Sequence, residues 1–266
     1  MPAAAVAGGA NHAPAGAPTP GGSVVRKELD PGYKQGRRET PELFLSQMPL
    51  IREVVATLGL RAIEVVGVEA DDVIATLATA AAESAIDTVV VTGDRDSYQL
   101  VSDPHIRVLY NKRGVSDYAL YDEAGILERT GVTPAQYPEY AALRGDASDN
   151  LPGVPGIGEK TAAKLVTTYG DLDGIFANLD ALPPKQRTNL GEWQEQVRHN
   201  HDMSVLRRDV PLDVAIEDTA LRSFDLDAAK SLFHQLEFRT LLPRVFAALR
   251  VEDTGEVGGA SLEVEV

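Results

Sequence analysis

The 266-residue sequence contains no cysteine, which excludes disulfides and thiolate metal centres and is compatible with a reducing compartment. It also lacks any apolar run near the roughly 20 residues that a membrane-spanning helix needs, so no membrane partner is expected. The N-terminus has neither the basic start nor the apolar core of a secretory signal, and a cytoplasmic protein is the expectation. Basic residues are in short supply: 25 Lys and Arg stand against 40 Asp and Glu, a net charge of −15. A nucleic-acid partner ordinarily prefers a basic surface. Two features weaken that objection. Five acidic residues and no basic one fall between Glu252 and Val266, and other acids cluster where bound cations would neutralise them. With 44% hydrophobic and 24% charged residues, the chain has the make-up of a globular protein with one large domain or two.

Residues 1–22 are dominated by Ala, Gly and Pro and read as disordered. Residues 23–40 change character: Arg26, Lys27, Lys34, Arg37 and Arg38 surround Tyr33, a mobile basic strip or a solvated loop. From Leu43 to Leu58 apolar residues recur at helical steps, and Gly59 closes the pattern. Short strands are expected at 62–66, 88–92 and 106–110, the second (TVVVT) apolar enough for burial on both faces. An alanine-rich helix over 70–82 separates the first two, and this alternation predicts an α/β architecture with a mostly parallel sheet. Beyond Tyr121 the pattern turns helical: from the N-cap Asp122 to Thr130, then from Pro134 to about Leu143. Further helices are expected at 159–169, 171–178, 185–200 and 227–236. The domains expected are therefore an α/β core at 23–121 that includes the basic strip at 23–40, a helical subdomain at 122–250 and a flexible acidic tail at 251–266.

Three acidic clusters follow strand or helix ends: Glu69, Asp71 and Asp72; Asp94 and Asp96; Asp146 and Asp149. The carboxyl ends of strands in an open α/β sheet form its binding crevice. Each cluster alone has an ordinary explanation, either as the acidic first turn of a helix or as turn formers. Together, seven carboxylates without histidine or cysteine match a site for hard cations such as Mg²⁺ or Mn²⁺. Close like charges must bind cations or take up protons. Paired divalent ions about 3.5–4 Å apart serve phosphodiester hydrolysis. The turn Gly156-Ile157-Gly158 then opens a helix, where unpaired backbone N–H groups suit a phosphate oxygen. Metal-dependent hydrolysis of nucleic acid follows. A phosphatase or small-molecule hydrolase would account for the acids, though not for the glycine turn or the basic strip.

The stretches GVEADDVIATLA, VVTGDRDSYQLVSD and ALRGDASDNLPGVPGIGEKTAAKL resemble the 5′-3′ exonuclease domains of bacterial DNA polymerase I, within the flap endonuclease family. The resemblance runs roughly from Arg26 to Phe246. It implies a PIN-like or resolvase-like sheet followed by a helix–hairpin–helix-type DNA-binding subdomain. It also implies cleavage of 5′-flapped, nicked or gapped duplex DNA in replication and repair, by a bacterial, nucleoid-associated enzyme. By position, Glu69, Asp71, Asp72, Asp94, Asp96, Asp146 and Asp149 match the family's metal-site acids. Gly153, Gly156, Gly158 and Lys160 match its duplex-holding turn, which often carries a monovalent cation such as K⁺. Arg26, Tyr33, Lys34 and Arg37 match its basic arch, with Lys34 and Arg37 facing the scissile phosphate.

The sequence departs from that pattern at its start. Family members open with an aspartate in a motif like LLDGN and carry a second, FD-type aspartate before the arch. The second would fall near Thr19, and no acid precedes Glu28. The expectation is an N-terminally truncated domain in which one metal position is depleted of two ligands. Hydrolysis would then be slow, or the chain would be a DNA-binding remnant without catalysis.

Overall fold

The computed structural model describes residues 5–7, 24–35, 41–113, 117–220 and 223–248. In chain order the first elements are β1 (Ala5–Ala7), α1 (Val24–Leu29), α2 (Glu42–Leu45), α3 (Met48–Thr57), β2 (Arg61–Ile63) and α4 (Ala70–Glu83). Next come β3 (Thr88–Thr92), β4 (Ile106–Arg113), β5 (Asp117–Tyr121), α5 (Glu123–Thr130) and α6 (Tyr137–Arg144). The last described elements are α7 (Glu159–Tyr169), α8 (Leu172–Ala177), α9 (Pro184–Glu192), α10 (Gln194–Ser204), α11 (Leu226–Gln235) and α12 (Leu241–Ala248). A 3₁₀ turn over Arg95–Leu100 follows β3. No helix among the described residues is long and apolar enough to cross a membrane.

Two compact units emerge, and they do not follow chain order. One comprises residues 22–39 and 67–210; the other comprises 1–21, 40–66 and 211–266. The first holds a three-stranded sheet in the order β3-β4-β5. β3 and β4 run parallel, from Thr88 opposite Ile106 to Thr92 opposite Tyr110, whereas β5 returns antiparallel. The mostly parallel sheet thus gains an antiparallel edge, because the short β4–β5 connection allows a hairpin and leaves no room for a crossover helix. α4 presents Val73, Leu77 and Ala81, four residues apart, together with Ala75 and Ala78, to the core. Only Val90 of β3 is buried; Val89 and Val91 are exposed, so burial on both faces does not hold.

The core of this unit continues from the sheet into α6, α7 and α10. Tyr98 lies at its centre, with the rings of Tyr110, Tyr121 and Tyr137 edge-on at 5.4, 5.5 and 5.4 Å. Such edge-to-face packing is favoured by the ring quadrupoles. Buried Asn200 of α10 donates to the carbonyls of Ala142 and Pro152, pinning the loop after α6.

In the second unit β2 pairs in parallel with β1. Ala5–Ala7 therefore form a strand inside the segment expected to be disordered, and the rest of 1–22 lies outside the described residues. The strand expected at 62–66 covers Arg61–Ile63 and belongs to this pair rather than to the three-stranded sheet. The helix expected over Leu43–Leu58 is two helices, since Pro49 in the first turn of α3 cannot donate the backbone bond that would continue α2. α11 buries Leu226, Ala229, Leu232 and Phe233 on one stripe. The 122–250 subdomain is correspondingly divided at residue 210, and the acidic tail lies outside the described residues.

Candidate functional site

All three acidic clusters fall in the unit formed by 22–39 and 67–210. Glu69 is the N-cap of α4, yet its side chain caps nothing. Its carboxylate instead accepts from Lys34 Nζ at 2.7 Å, Arg26 Nη1 at 3.2 Å and the Tyr33 hydroxyl at 3.3 Å. Asp72, one turn on, accepts from Arg26 Nη1 and Nη2 at 2.7 and 2.9 Å and from the Arg207 backbone N–H at 3.0 Å. Arg26 also donates to the carbonyls of Met203 and Val205. Burial opposes its charge, but the hydrogen bond to Asp72 and the fields of Asp72 and Glu69 outweigh burial and raise its pKa.

These contacts overturn part of the basic-strip expectation. Residues 24–29 are helical, and Arg26 and Tyr33 are each only 5% exposed, so neither is displayed to a single strand. Charges this deep are retained only when paired, and Glu69 and Asp72 are the partners. The Tyr33 hydroxyl also lies 3.1 Å from Asp149 Oδ2, and burial followed by the fields of Glu69 and Asp149 raises its pKa. Lys34 takes a left-handed backbone, φ 57°, which turns its ammonium back over the Tyr33 ring at 4.7 Å and onto Glu69. Arg37 lies outside the described residues.

The remaining acids act chiefly on one another. β3 ends at Thr92, and Asp94 caps the following 3₁₀ turn by accepting from the Asp96 N–H at 2.9 Å. Burial, then repulsion from Asp94, Asp146 and Asp149, holds the Asp96 carboxyl well above its ordinary range, opposed by Arg144. Asp71 is pushed up to about 6 by burial, then by Asp94 and Glu69. Asp146 accepts from the Ser148 N–H and hydroxyl, both at 2.7 Å. The seven acids therefore do not form one ligand shell. Glu69 and Asp72 are neutralised by Arg26 and Lys34, and Asp149 stands at the margin, 4.0 Å from Lys34 Nζ. Asp71, Asp94, Asp96 and Asp146 have no such contact with either cation. Among the described residues, no three His, Asp or Glu side chains are drawn together tightly enough to hold an ion as they stand. The donor chemistry nonetheless fits a hard cation: every candidate donor is a carboxylate oxygen, and their mutual repulsion is what a cation relieves.

The glycines divide by what surrounds them. Gly145 and Gly153 pack backbone to backbone; a Cβ on Gly153 would lie 1.9 Å from the Arg144 carbonyl oxygen. Gly153 is thus required by packing, whatever else approaches it. Gly156 needs its φ of +80°. Gly158 is the N-cap of α7, and a Cβ added there would meet nothing within 4 Å. Lys160, two residues on, is exposed. The backbone here is open to an incoming group.

Arg144 has no counterpart among the residues singled out from sequence. It ends α6, stacks its guanidinium 5.4 Å from the Tyr140 ring and lines a cavity of about 370 Å³ with Asp94, Arg95, Tyr110 and Asp146. The only sequence signal was one arginine immediately before Gly145-Asp146.

Comparison with known proteins identifies the family and the fold. Residues 17–131 match the model for the 5′-3′ exonuclease N-terminal resolvase-like domain, and residues 132–227 match that for the 5′-3′ exonuclease C-terminal SAM fold. The DNA polymerase I of Mycobacterium bovis is 44% identical over 234 residues, covering 88% of this chain and 26% of the polymerase. The chain spans about a quarter of the length of that relative. Among solved structures, bacteriophage T5 5′-exonuclease with bound zinc superposes with a TM-score of 0.60 at 21% identity, over 83% of this chain and 80% of that one. The T5 D15 flap endonuclease, in a complex with DNA and metal ions, gives 0.58 at 24% identity, over 69% and 70%. At those identities the likeness establishes the fold. The two domain models abut at Gly131 and Val132 and together cover most of the sequence, and on that ground the chain belongs to the 5′-3′ exonuclease family.

Proposed function

We propose that this chain hydrolyses phosphodiester bonds of 5′-flapped, nicked or gapped DNA with divalent cations, Mg²⁺ or Mn²⁺, in bacterial replication and repair. The observation that carries the reading is the set of mutually repelling carboxylates Asp71, Asp94, Asp96, Asp146 and Asp149, two of which are held above their ordinary pKa range. Divalent ions bound there would neutralise that repulsion and lower the cost of generating a nucleophile from water. Lys34, now on Glu69, and Arg37 are the cations assigned to the scissile phosphate, offsetting charge that grows on it. The open backbone at Gly158, with Lys160, is assigned to duplex phosphate, and the turn at 153–158 to a monovalent cation such as K⁺. The relatives' metal and DNA complexes support this reading by analogy.

A second reading, DNA binding without hydrolysis, is favoured by one observation. Arg26 and Lys34 already satisfy Glu69 and Asp72, leaving two of the seven acids poor ligands. The test is a labelled 5′-flap duplex incubated with the protein and Mg²⁺ or Mn²⁺, with binding followed in parallel by anisotropy. Metal-dependent cleavage that Asp94→Ala abolishes without loss of binding supports the nuclease. Tight binding with no cleavage by the unmodified chain rejects it in favour of the second reading.

A further inference from the structure

Two arginines in the same unit, Arg26 buried and Arg144 half-buried, are used in opposite ways. Every nitrogen of the Arg26 guanidinium is spent: Nε on Met203, Nη1 on Glu69 and Asp72, Nη2 on Asp72 and Val205. Arg144 donates through Nε, to the Gly145 carbonyl at 3.1 Å. Its terminal nitrogens hydrogen-bond no carboxylate: the ion pair from Nη2 to Asp146 Oδ2 is long, 3.9 Å, beyond hydrogen-bonding reach. The Tyr137 and Tyr140 hydroxyls lie close enough to favour its charge, yet the buried Tyr137 hydroxyl makes no hydrogen bond. The arginine side chain is nonetheless only 14% exposed. Its stem is buried, its guanidinium is stacked near Tyr140, and its base is fixed by the interlocked Gly145 and Gly153.

We infer that Arg144 is a phosphate-binding residue, gripping a DNA strand phosphate in the 370 Å³ cavity it shares with Asp94 and Asp146. A planar fork whose terminal nitrogens hydrogen-bond no carboxylate, and whose one ion pair is long, matches two phosphate oxygens at once. Because packing already holds that fork, little side-chain freedom is lost when a ligand arrives. Arg95 lines the same cavity but is engaged with Glu159 at 3.2 Å and is 40% exposed, so it is the weaker candidate. Asp94 and Asp146 would repel a phosphate that entered alone. The inference therefore rests on the nuclease reading above, in which a cation on those carboxylates accompanies the strand. It adds a contact distinct from Lys34, Arg37 and the turn at Gly158.

The test is fluorescence anisotropy of a labelled 5′-flap duplex across a salt series, with Ca²⁺ replacing Mg²⁺, on wild-type, R144M and R144K proteins checked by thermal melting. R144M should bind about tenfold more weakly, the scale of one charged hydrogen-bonded contact, and its plot of log affinity against log salt should be shallower by roughly one. R144K should keep the slope yet lose affinity, since a point charge replaces the fork. Wild-type affinity and slope in folded R144M overturn the assignment. Should R144M not fold, R144K decides: weaker binding at unchanged slope supports the fork, and wild-type affinity overturns it. A wild-type chain that binds flaps without cleaving them defeats the nuclease reading alone. Cleavage by wild type with R144M indistinguishable defeats the arginine assignment alone, and a wild type that binds no flap defeats both.

Discussion

Arg26 holds Asp72 through two hydrogen bonds of 2.7 and 2.9 Å, with the two residues 5% and 2% exposed. The pair lies 46 positions apart in sequence and joins α1 to the first turn of α4. Removing one member of a buried ion pair leaves the other charged and poorly solvated; here Asp72 would lose both guanidinium bonds and keep the Arg207 backbone N–H, whereas Glu69 would still hold Lys34 and Tyr33. Arg26→Met should therefore cost about 3–5 kcal/mol of unfolding free energy. Urea denaturation measures it, and a loss below about 1 kcal/mol, the scale of a surface pair, would show that the pair is not buried in solution.

Gly153 and Gly158 should respond in opposite senses to an added side chain. A Cβ at Gly153 meets the Arg144 carbonyl at 1.9 Å and the Gly145 nitrogen at 2.9 Å, both backbone atoms that cannot swing away. Gly153→Ala should lower stability by at least the roughly 1–3 kcal/mol of an overpacked core. At Gly158 the φ of −93° suits any residue and the surrounding space is open. Gly158→Leu should melt like the wild type but bind duplex DNA more weakly, because the side chain would occupy the approach to the backbone. Melting curves and anisotropy separate the two; equal DNA affinity in folded Gly158→Leu would remove that turn from the interface.

The contrast between these glycines marks how far the chain could be read without coordinates. α5 was legible at both ends because both carry end chemistry: Asp122 accepts from the Gly125 N–H, and Gly131 takes a left-handed φ of 80°. Helical periodicity was a weaker guide, since it runs unbroken across the joint between α2 and α3 and across Trp193, where α9 gives way to α10. β5 went unseen because its pairing depends on a hairpin with β4. The acids were visible as clusters following strand and helix ends. Whether each faces a cation from solution or one from the chain depends on contacts such as Lys34 to Glu69, 35 residues apart, and composition records no such distance. Arg144 offered no spacing at all; the environment of its guanidinium exists only in three dimensions.

Acidity at Asp71 carries a pH dependence whose sign follows from its pKa. An ordinary aspartate loses its proton near 3.8, whereas Asp71 in the folded chain holds its own to about 6. Between those values the unfolded chain binds fewer protons than the folded one, so stability falls as pH rises from about 4 to about 6 and then levels. Asp96, displaced the same way, adds to the fall. Asp71→Asn should melt higher than wild type at pH 7 in EDTA and show a shallower decline. Mg²⁺ or Mn²⁺, by binding the folded form, should raise the wild-type melting temperature most above pH 6. Parallel melting-against-pH curves for the two proteins would reject the placement of Asp71 among repelling charges.

His201 supplies a second pH window, above the first. Contact with Glu139, 3.6 Å from Nε2, raises its pKa against the opposing effect of burial, and Asp202 adds to the rise. A histidine whose folded pKa exceeds its ordinary 6.5 contributes stability that is fully present below that value and is lost as pH rises through the folded pKa. Glu139 Oε2 is itself buried without a partner, so the neutral imidazole leaves that carboxylate less well compensated. His201→Gln should therefore flatten the decline in melting temperature above pH 6.5 while leaving the Asp71-dependent decline at lower pH in place. Asp71→Asn should do the reverse. If one substitution flattens both windows, the two groups belong to a single coupled network and the separation drawn from their distinct partners fails.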